Sequence, residues 1–320
     1  MQPLSSLTFR DPAVMQNPYP YYERMRTEDP VHFDEGIRTW LITRYEDLVA
    51  VARNTEVVGL PMDRVDEISR GADSMVAQFG AGASREEAYQ HARNVLQLQR
   101  FTREAIEQRR AKPGQDLISQ IVHARIDDPN SPQLTDREVL SISTVAIAGG
   151  VDTTRNGIAF GLHALATQSG LLQRLRQSTQ QDKDLARFAD ETLRYYAPVP
   201  QLPRITTQET VLRGKTIPKN AFVMMCWASG NRDPQRFADP DRFDIDRPNL
   251  NYHVAFGTGV HHCLGAMLAR QEMKCAFREI VNNIDSVELA VPQDKLDLST
   301  TMVILRSLAS LPVHLHRRIA

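Results

Sequence analysis

The chain has 320 residues, of which 24% are charged, and its formal net charge is −1. This balance gives no electrostatic reason to expect nucleic acid or a membrane surface as a partner. The length suits one large domain, or one domain with a small lobe. The cysteines show none of the paired spacings of a disulfide-stabilised secreted protein. The opening residues contain no apolar run for a signal peptide or membrane anchor, so we expect a cytoplasmic protein.

The first part of the chain is predicted to be mostly helical, with a small sheet near its start. A short helix, a hairpin of two strands and a second helix are predicted at residues 21–27, 31–33 with 39–43, and 45–53. Residues 62–120 follow as a charged helical segment that is interrupted at 80–84 by alanine and glycine. This interruption predicts a helix-loop-helix arrangement.

The second part contains the longest predicted helix, over residues 132–165. Thr135 and Glu138 have the spacing of a capping box and should begin that helix. The remaining helices and strands are predicted at 185–196, 211–218, 221–227, 264–284 and, as a hairpin, 302–315. The sequence therefore predicts a mainly α fold with small β-sheets.

The centre of the longest helix contains two adjacent glycines, Gly149 and Gly150, followed by Asp152 and Thr153. Each glycine inside a helix should cost about 1 kcal/mol relative to alanine. A flat cofactor, or a neighbouring helix seated in the notch, would offset that cost. The acid and the hydroxyl that follow have the chemistry to relay protons. We therefore expect this helix face to meet either a cofactor or another helix.

Cys263 lies in a glycine-rich run, residues 256–266, at the beginning of a predicted helix. Gly257, Gly259 and Gly265 allow the backbone to approach a flat ligand closely. The helix dipole should lower the pKa of the thiol. A buried free cysteine is the commoner alternative, and zinc is poorly served because no second group of ligands has the required spacing. A lone sulfur suits an iron whose other ligands belong to a macrocycle.

At this loop the chain resembles the cytochrome P450 family, the haem-thiolate monooxygenases. The family's haem-binding signature, FGxGxHxCxG, matches residues 256–265 in full. The resemblance implies that Cys263 is the axial ligand of the iron of haem b, that Phe256 packs beside the sulfur, and that His261 contacts a haem propionate. It also places three glycines in the cofactor-binding loop, namely Gly257, Gly259 and Gly265.

The glycine pair in the long helix matches a second motif of the family, the oxygen-binding groove [AG]GxDT[TS], at residues 149–154. Cleavage of dioxygen takes two protons, and a thiolate ligand favours breakage of the oxygen–oxygen bond. The resemblance implies that Gly149 and Gly150 contact the haem, that Thr153 steers protons and that Asp152 resupplies them. Asp152 and Thr153 are therefore the predicted catalytic residues.

Glu191 and Arg194 match the ExxR motif of the family, in which the pair is buried with a further arginine and braces the cysteine loop. Arg242 is expected to be that third member, and Arg204 matches a strand arginine that meets a propionate. Arginine binds carboxylates well because its guanidinium fork matches their geometry. Without the resemblance, the alternatives would be a solvated ion pair worth under about 1 kcal/mol and a solvated strand end.

The resemblance covers nearly the whole sequence and implies a single domain over residues 1–320. Residues 1–56 would supply the N-terminal sheet and first helices, 57–130 the lid-type helices and 131–320 the haem-binding core. The chain is short for the family, because a segment that normally follows the second helix is not found near residues 54–56. We therefore expect a cytochrome P450 fold that is internally truncated.

The implied function is a monooxygenase that hydroxylates a lipophilic small molecule with dioxygen and two electrons from a ferredoxin or similar protein. No nucleic-acid partner and no membrane anchor are expected. An internally deleted, catalytically impaired remnant that binds haem or another protein is the alternative, because part of the pocket would be missing. A peroxygenase is disfavoured, since Asp152 and Thr153 suit the activation of dioxygen.

Overall fold

The structure, a computed structural model, describes residues 17–36, 39–43, 84–114, 117–124, 133–296, 298–302 and 304–318, with short stretches between residues 4 and 75. The chain divides into two compact units, one of residues 56–153 and one of residues 1–55 with 154–320. The predicted helix at 45–53 and the predicted deletion near 54–56 lie outside the described residues. The organisation as a single domain, with boundaries at 56 and 130, stays a prediction.

The described residues are mainly helical with small sheets, as predicted. The helices are α1 (Tyr19–Glu28), α2 (Arg85–Ala111), α3 (Leu117–His123), α4 (Asp136–Thr167), α5 (Leu171–Gln177), α6 (Gln181–Tyr196), α7 (Trp227–Gly230) and α8 (Ala266–Asn283). The strands are β1 (Val31–Asp34), β2 (Thr39–Ile42), β3 (Leu202–Ile205), β4 (Thr210–Leu212), β5 (Lys215–Ile217), β6 (Phe222–Met225), β7 (Ile284–Leu289), β8 (Leu298–Met302), β9 (Leu305–Leu308) and β10 (Val313–Arg317). Within the described ranges, no helix combines the length and apolarity needed to cross a bilayer.

The unit of residues 56–153 is built from α2, α3 and the first half of α4. A capping box at Ser84 and Glu87 begins α2. The predicted box at Thr135 and Glu138 begins α4, with the Glu138 N–H donating to the Thr135 hydroxyl at 3.3 Å. The three helices share a small core of buried side chains, namely Ala105, Ile106, Ile118, Ile121 and Val139.

In the other unit, α6 and α8 pack together through an apolar core with ion pairs along its edge. The rings of Phe188 and Phe277 lie 4.6 Å apart between centroids. Asp182 on α6 pairs with Lys274 on α8 at 2.9 Å and also with Arg278. Because α6 supplies the acids and α8 the bases, the charge pattern supports the same alignment of the two helices as the core.

The last turns of α4 approach α8 closely because two glycines lie in the contact. A side chain at Gly157 would meet the sulfur of Met273 at 3.0 Å, and one at Gly161 would overlap the ring of Phe277. Met273 and Phe277 are fully buried. Gly161 therefore fixes how near the two helices lie in the core.

We expect Gly161→Ala to lower the free energy of unfolding of the haem-free chain by about 1–3 kcal/mol, because overpacking forces the core apart. Urea unfolding followed by circular dichroism measures this change. Gly150→Ala on the same helix is the matched control. No atom of the described residues lies within 4 Å of a Cβ at Gly150, so alanine should leave stability unchanged or raise it by up to about 1 kcal/mol. A stabilising Gly161→Ala would contradict the close packing.

Four strands form the largest sheet, in the order β1-β2-β6-β3. The β1–β2 hairpin is confirmed as predicted, β2 is parallel to β6, and β3 is antiparallel to β6. The predicted hairpin over residues 302–315 is wrong: β9 pairs with β8, and β10 pairs with β7. The sequence alternation in this tail marks strands but does not identify their partners, because alternation is a property of a single strand.

Candidate functional site

The predicted pair of Glu191 and Arg194 forms at the end of α6 and is completely buried. The Arg194 Nε donates to Glu191 Oε2 at 2.6 Å, and its Nη2 donates to Oε1 at 2.9 Å. The remaining Arg194 hydrogens reach backbone carbonyls of Asn231, Pro240 and Arg242 at 2.8, 2.9 and 3.1 Å. All five donors of the guanidinium are therefore satisfied without water, and the charge holds the chain between residues 231 and 242 in place.

Arg242 is not the third member of this cluster, contrary to the prediction. Its side chain is 69% exposed and lies 3.7 Å from Asp244. Arg247 occupies the place instead: its side chain is 5% exposed and its Nε donates to Glu191 Oε1 at 3.2 Å. Arg242 contributes only its carbonyl oxygen, which accepts from Arg247 at 2.5 Å. The run of turns between residues 239 and 250 points the first arginine outward and the second inward.

The buried cluster connects to the cysteine loop through Asn231. The Asn231 carbonyl accepts from Arg194, and its side-chain Oδ1 accepts from the N–H of Val254 at 2.7 Å. Val254 lies two residues before Phe256, whose carbonyl accepts from the N–H of Cys263 at 2.9 Å. Hydrogen bonds joined by short stretches of backbone therefore connect Glu191 and Arg194 to the cysteine loop, and the bracing role stays a prediction.

The loop that carries Cys263 turns at two glycines with left-handed backbone angles. The φ of Gly257 is 67° and that of Gly259 is 73°, a region that other residues enter at a cost. The Gly257 N–H donates to Val254, and the His262 N–H donates to Gly259 at 3.0 Å. The loop thus forms tight turns on both sides of the glycines and presents the Cys263 residue at the surface.

The predicted low pKa of the Cys263 thiol is wrong for this structure. Burial of the sulfur among its neighbours raises the pKa, and the opposing effects of the Gly265 N–H and the Arg270 charge are smaller. Although the residue as a whole is exposed, its sulfur is partly surrounded by protein. Helix α8 begins at Ala266, so the thiol precedes the first helical turn and gains less from the dipole than expected.

Phe256 packs beside charged groups on one side of the loop. The guanidinium carbon of Arg270 lies 4.5 Å from the centroid of the Phe256 ring, and Arg270 also pairs with Asp190 on α6 at 2.7 Å. His253 donates to the same Asp190 oxygen at 3.1 Å. These contacts fix the aromatic ring seven residues before the thiol.

Arg204 and His261 are the two predicted propionate partners, and the charge of the first acts on the second. Burial lowers the pKa of Arg204, and no hydrogen-bond partner of its Nε is found among the described residues. Burial, and then the positive charge of Arg204, lower the pKa of His261. A half-buried cation with an unused donor beside a basic ring is suited to a carboxylate, so both side chains have the chemistry that the sequence predicts for them.

The residues of the predicted oxygen groove, apart from Thr154, lie in the unit of residues 56–153. Gly149 and Gly150 are exposed, and no atom of the described chain lies within 4 Å of a Cβ built at either. Among the described residues, no neighbouring helix is therefore seated on these two glycines. Asp152 is buried. The helix does not open at Thr153, whose hydroxyl donates to the Gly149 carbonyl at 2.6 Å, so its lone pairs stay available as acceptors.

A model of the family described as Cytochrome P450 matches residues 83–311. The chain belongs to the cytochrome P450 family. Cytochrome P450 109 of Bacillus spizizenii is 34% identical over 247 residues, which are 76% of this chain and 59% of that protein. The 6-deoxyerythronolide B hydroxylase of Saccharopolyspora erythraea is 30% identical over 257 residues, 78% of this chain and 60% of that protein. The P450 chain thus spans about three fifths of the length of these two relatives.

The fold is also that of the family. The crystal structure of CYP109E1 from Bacillus megaterium in complex with testosterone aligns with a TM-score of 0.80 and 23% identity, over 94% of this chain and 98% of that one. P450s of this family bind haem b, iron protoporphyrin IX. The residues present fit that group: a lone sulfur suits its iron, and Arg204 with His261 suits its carboxylates.

Sequence reasoning missed several residues that shape this P450 site. Arg247, Asn231, Asp190 and Arg270 were not singled out, although the turn-rich run before the loop offers two arginines, either of which could have been the third member of the cluster. Asp190 and Arg270 are separated by 80 residues, and no local pattern joins them. The charge complementarity of α6 and α8 is the signal that would have indicated this pair.

Proposed function

We propose that this P450 is a haem-thiolate monooxygenase that hydroxylates a lipophilic small molecule with dioxygen and two electrons from a ferredoxin-like protein. The observation that carries the proposal is the Cys263 loop, which turns at two glycines with left-handed backbone angles. Hydrogen bonds through Asn231 connect this loop to the buried cluster of Glu191, Arg194 and Arg247. Cys263 would hold the iron, and Arg204 with His261 would hold the carboxylates. Haem with a thiolate ligand supplies the activation of dioxygen.

Asp152 and Thr153 would move the protons that this chemistry consumes. The Thr153 hydroxyl donates to the Gly149 carbonyl, which leaves its lone pairs to accept a hydrogen bond from a water molecule that carries the protons. Asp152, buried one residue earlier, would resupply protons by exchanging with water. Gly149 and Gly150 would let a flat cofactor approach the backbone of α4, since a side chain at either position would stand in the way.

The names of the relatives support a lipophilic substrate. One relative is a 6-deoxyerythronolide B hydroxylase, and one structure of the same fold holds testosterone. Both names point to large apolar compounds, and apolar pockets with a few polar groups are usual for such ligands. The cytoplasm is the proposed location, supported by three cysteines that are all free thiols.

The experiment combines the purified chain and haem with a ferredoxin, its reductase, NADPH and a panel of macrolide and steroid compounds under labelled dioxygen. A product that carries one atom of the label supports the monooxygenase. A haem-loaded chain that yields no labelled product with any donor, and none with hydrogen peroxide, would contradict it. A product formed with peroxide alone, carrying no dioxygen label, would indicate a peroxygenase.

A haem-binding remnant without turnover is the second candidate. The observation that favours it is the coverage of the relatives, because the alignments span 59% and 60% of those two proteins. A segment of a P450 pocket could therefore be missing. In the experiment above, this candidate predicts a normal haem spectrum without any labelled product, an outcome that separates it from the enzyme.

Thr153→Ala is expected to lower product formation by about 100-fold, the usual contribution of a positioned proton-transfer group, while NADPH consumption continues. Electrons would then leave as peroxide, and the ratio of product to NADPH measures this uncoupling. Thr153→Ser retains the hydroxyl and is the matched control, with a ratio near that of the unmodified chain. Unchanged coupling in Thr153→Ala would remove the assigned role.

A further inference from the structure

Arg270, on α8, is held by a carboxylate of α6 and by an aromatic ring of the cysteine loop. It lies in the second turn of α8, where its Nε donates to Asp190 Oδ1 at 2.7 Å. Its guanidinium stacks on Phe256 at 4.5 Å. The two charged side chains are 29% and 19% exposed, so the pair is partly shielded from water. Arg270 therefore keeps one position relative to the loop.

His253 orients the acid of this pair. Its Nδ1 accepts from the Ala255 N–H at 3.2 Å, and this contact assigns the ring hydrogen to Nε2, which lies 3.1 Å from Asp190 Oδ1. The Arg270 Nη2 also lies 3.4 Å from Nε2. The imidazole and the guanidinium therefore hold the Asp190 carboxylate from two sides.

The Arg270 charge lies against the loop that carries Cys263. Its guanidinium carbon is 4.5 Å from the centroid of the Phe256 ring, and the Phe256 carbonyl accepts from the Cys263 N–H at 2.9 Å. The same ring lies 6.3 Å from the ring of His262, the neighbour of Cys263, between centroids. Partly buried charges are screened less than exposed ones. The cation therefore makes negative charge at the loop more favourable, and its partner Asp190 offsets part of that influence.

We infer that Arg270 and Asp190 are positioning residues that set, through their opposite charges, how readily haem iron held by Cys263 accepts an electron. This inference rests on the proposed function, because it requires haem on that sulfur. One-electron reduction adds one negative charge to the iron and its ligand. A nearby cation stabilises the reduced form and a nearby anion the oxidised form, and surroundings of this kind are known to adjust the potential of haem iron.

Reduction potentials of the haem-loaded chain and four variants test the inference by dye-mediated titration. Arg270→Gln should lower the potential by the equivalent of a tenfold change in the equilibrium constant, about 59 mV for one electron. Asp190→Asn keeps the hydrogen-bond acceptor and should raise the potential. Arg270→Lys keeps the charge and should change the potential by less than a third of the shift predicted for Arg270→Gln. Lys274→Gln is the matched control: Lys274 lies one turn further along α8 and pairs with Asp182, so its shift should also stay below a third.

Three outcomes would overturn the inference. The first is an unchanged potential in Arg270→Gln, the second is an equal shift in Arg270→Gln and Arg270→Lys, and the third is a shift of the same sign in Asp190→Asn and Arg270→Gln. The last two would show that stacking on Phe256, and not charge, matters. If circular dichroism shows that Arg270→Gln does not fold, the other two variants decide: a nearly unchanged potential in Arg270→Lys and a raised potential in Asp190→Asn support the inference, and any other pair of results overturns it. An unmodified chain without a thiolate-haem spectrum would fail earlier, and that result would overturn the proposed function itself.

Discussion

Replacement of Glu191 by alanine is expected to lower the free energy of unfolding by about 3–5 kcal/mol. The carboxylate is completely buried and accepts from Arg194, from Arg247 and from the Asp244 N–H at 2.6 Å. Its removal leaves two guanidinium groups in the core without their counter-charge. Because domains are stable by only about 5–15 kcal/mol, a large fraction of the fold's stability depends on this residue. Urea unfolding of the haem-free chain measures the change.

Two arginines of the same segment provide the control for this cluster. Arg247→Gln should also cost about 3 kcal/mol or more, because Glu191 then loses one of its buried partners. Arg242→Gln should change stability by less than about 0.5 kcal/mol, as for other surface positions, because its exposed side chain is not part of the cluster and its carbonyl remains. Equal costs for the two variants would contradict the assignment of Arg247, and not Arg242, to the cluster.

Cys263→Ser is expected to abolish the thiolate character of the bound haem and to weaken haem binding by at least about 100-fold. Loss of groups that merely orient a ligand costs 10–100-fold in metal affinity, and removal of the ligand itself should cost more. Titration of the haem-free protein with haem, followed by absorption, gives the affinity. The unfolding curve of the haem-free variant should be nearly unchanged, because the residue is exposed and serine is close to cysteine in size and shape.

Cys275→Ser is the matched control for the ligand. Cys275 is also an exposed free thiol, on α8 and outside the loop. Its replacement should leave haem affinity and spectrum unchanged. If Cys263→Ser retained the affinity and spectrum of the unmodified chain, another residue would have to be the iron ligand, and the assignment from the signature would be wrong.

Features that depend on neighbouring residues could be predicted from the sequence. The capping box at Thr135, the β1–β2 hairpin, the mainly α composition and the glycine turns before Cys263 all arise from spacing over a few residues, and they appear where expected. The contact between Glu191 and Arg194 also follows, since residues three apart lie on one helix face. The motifs of the P450 family are local in this sense.

Features that depend on distant partners could not be predicted. Arg242 and Arg247 are both arginines of one turn-rich run, and only the path of the backbone decides which one points inward. The pKa of the Cys263 thiol follows from how many groups surround the sulfur, and a helix pattern does not give that number. The pairing of β10 with β7 joins strands separated by other elements, so alternation alone indicated the wrong partner.

The absorption spectrum of the reduced, carbon-monoxide-bound protein tests most directly whether this chain holds haem by Cys263. The purified chain is reconstituted with haem, reduced and exposed to carbon monoxide, beside the Cys263→Ser and Cys275→Ser variants. We predict the band of thiolate-ligated haem for the unmodified chain and for Cys275→Ser, and its loss in Cys263→Ser. An unmodified chain that shows only the band of histidine-ligated or unbound haem would contradict the account.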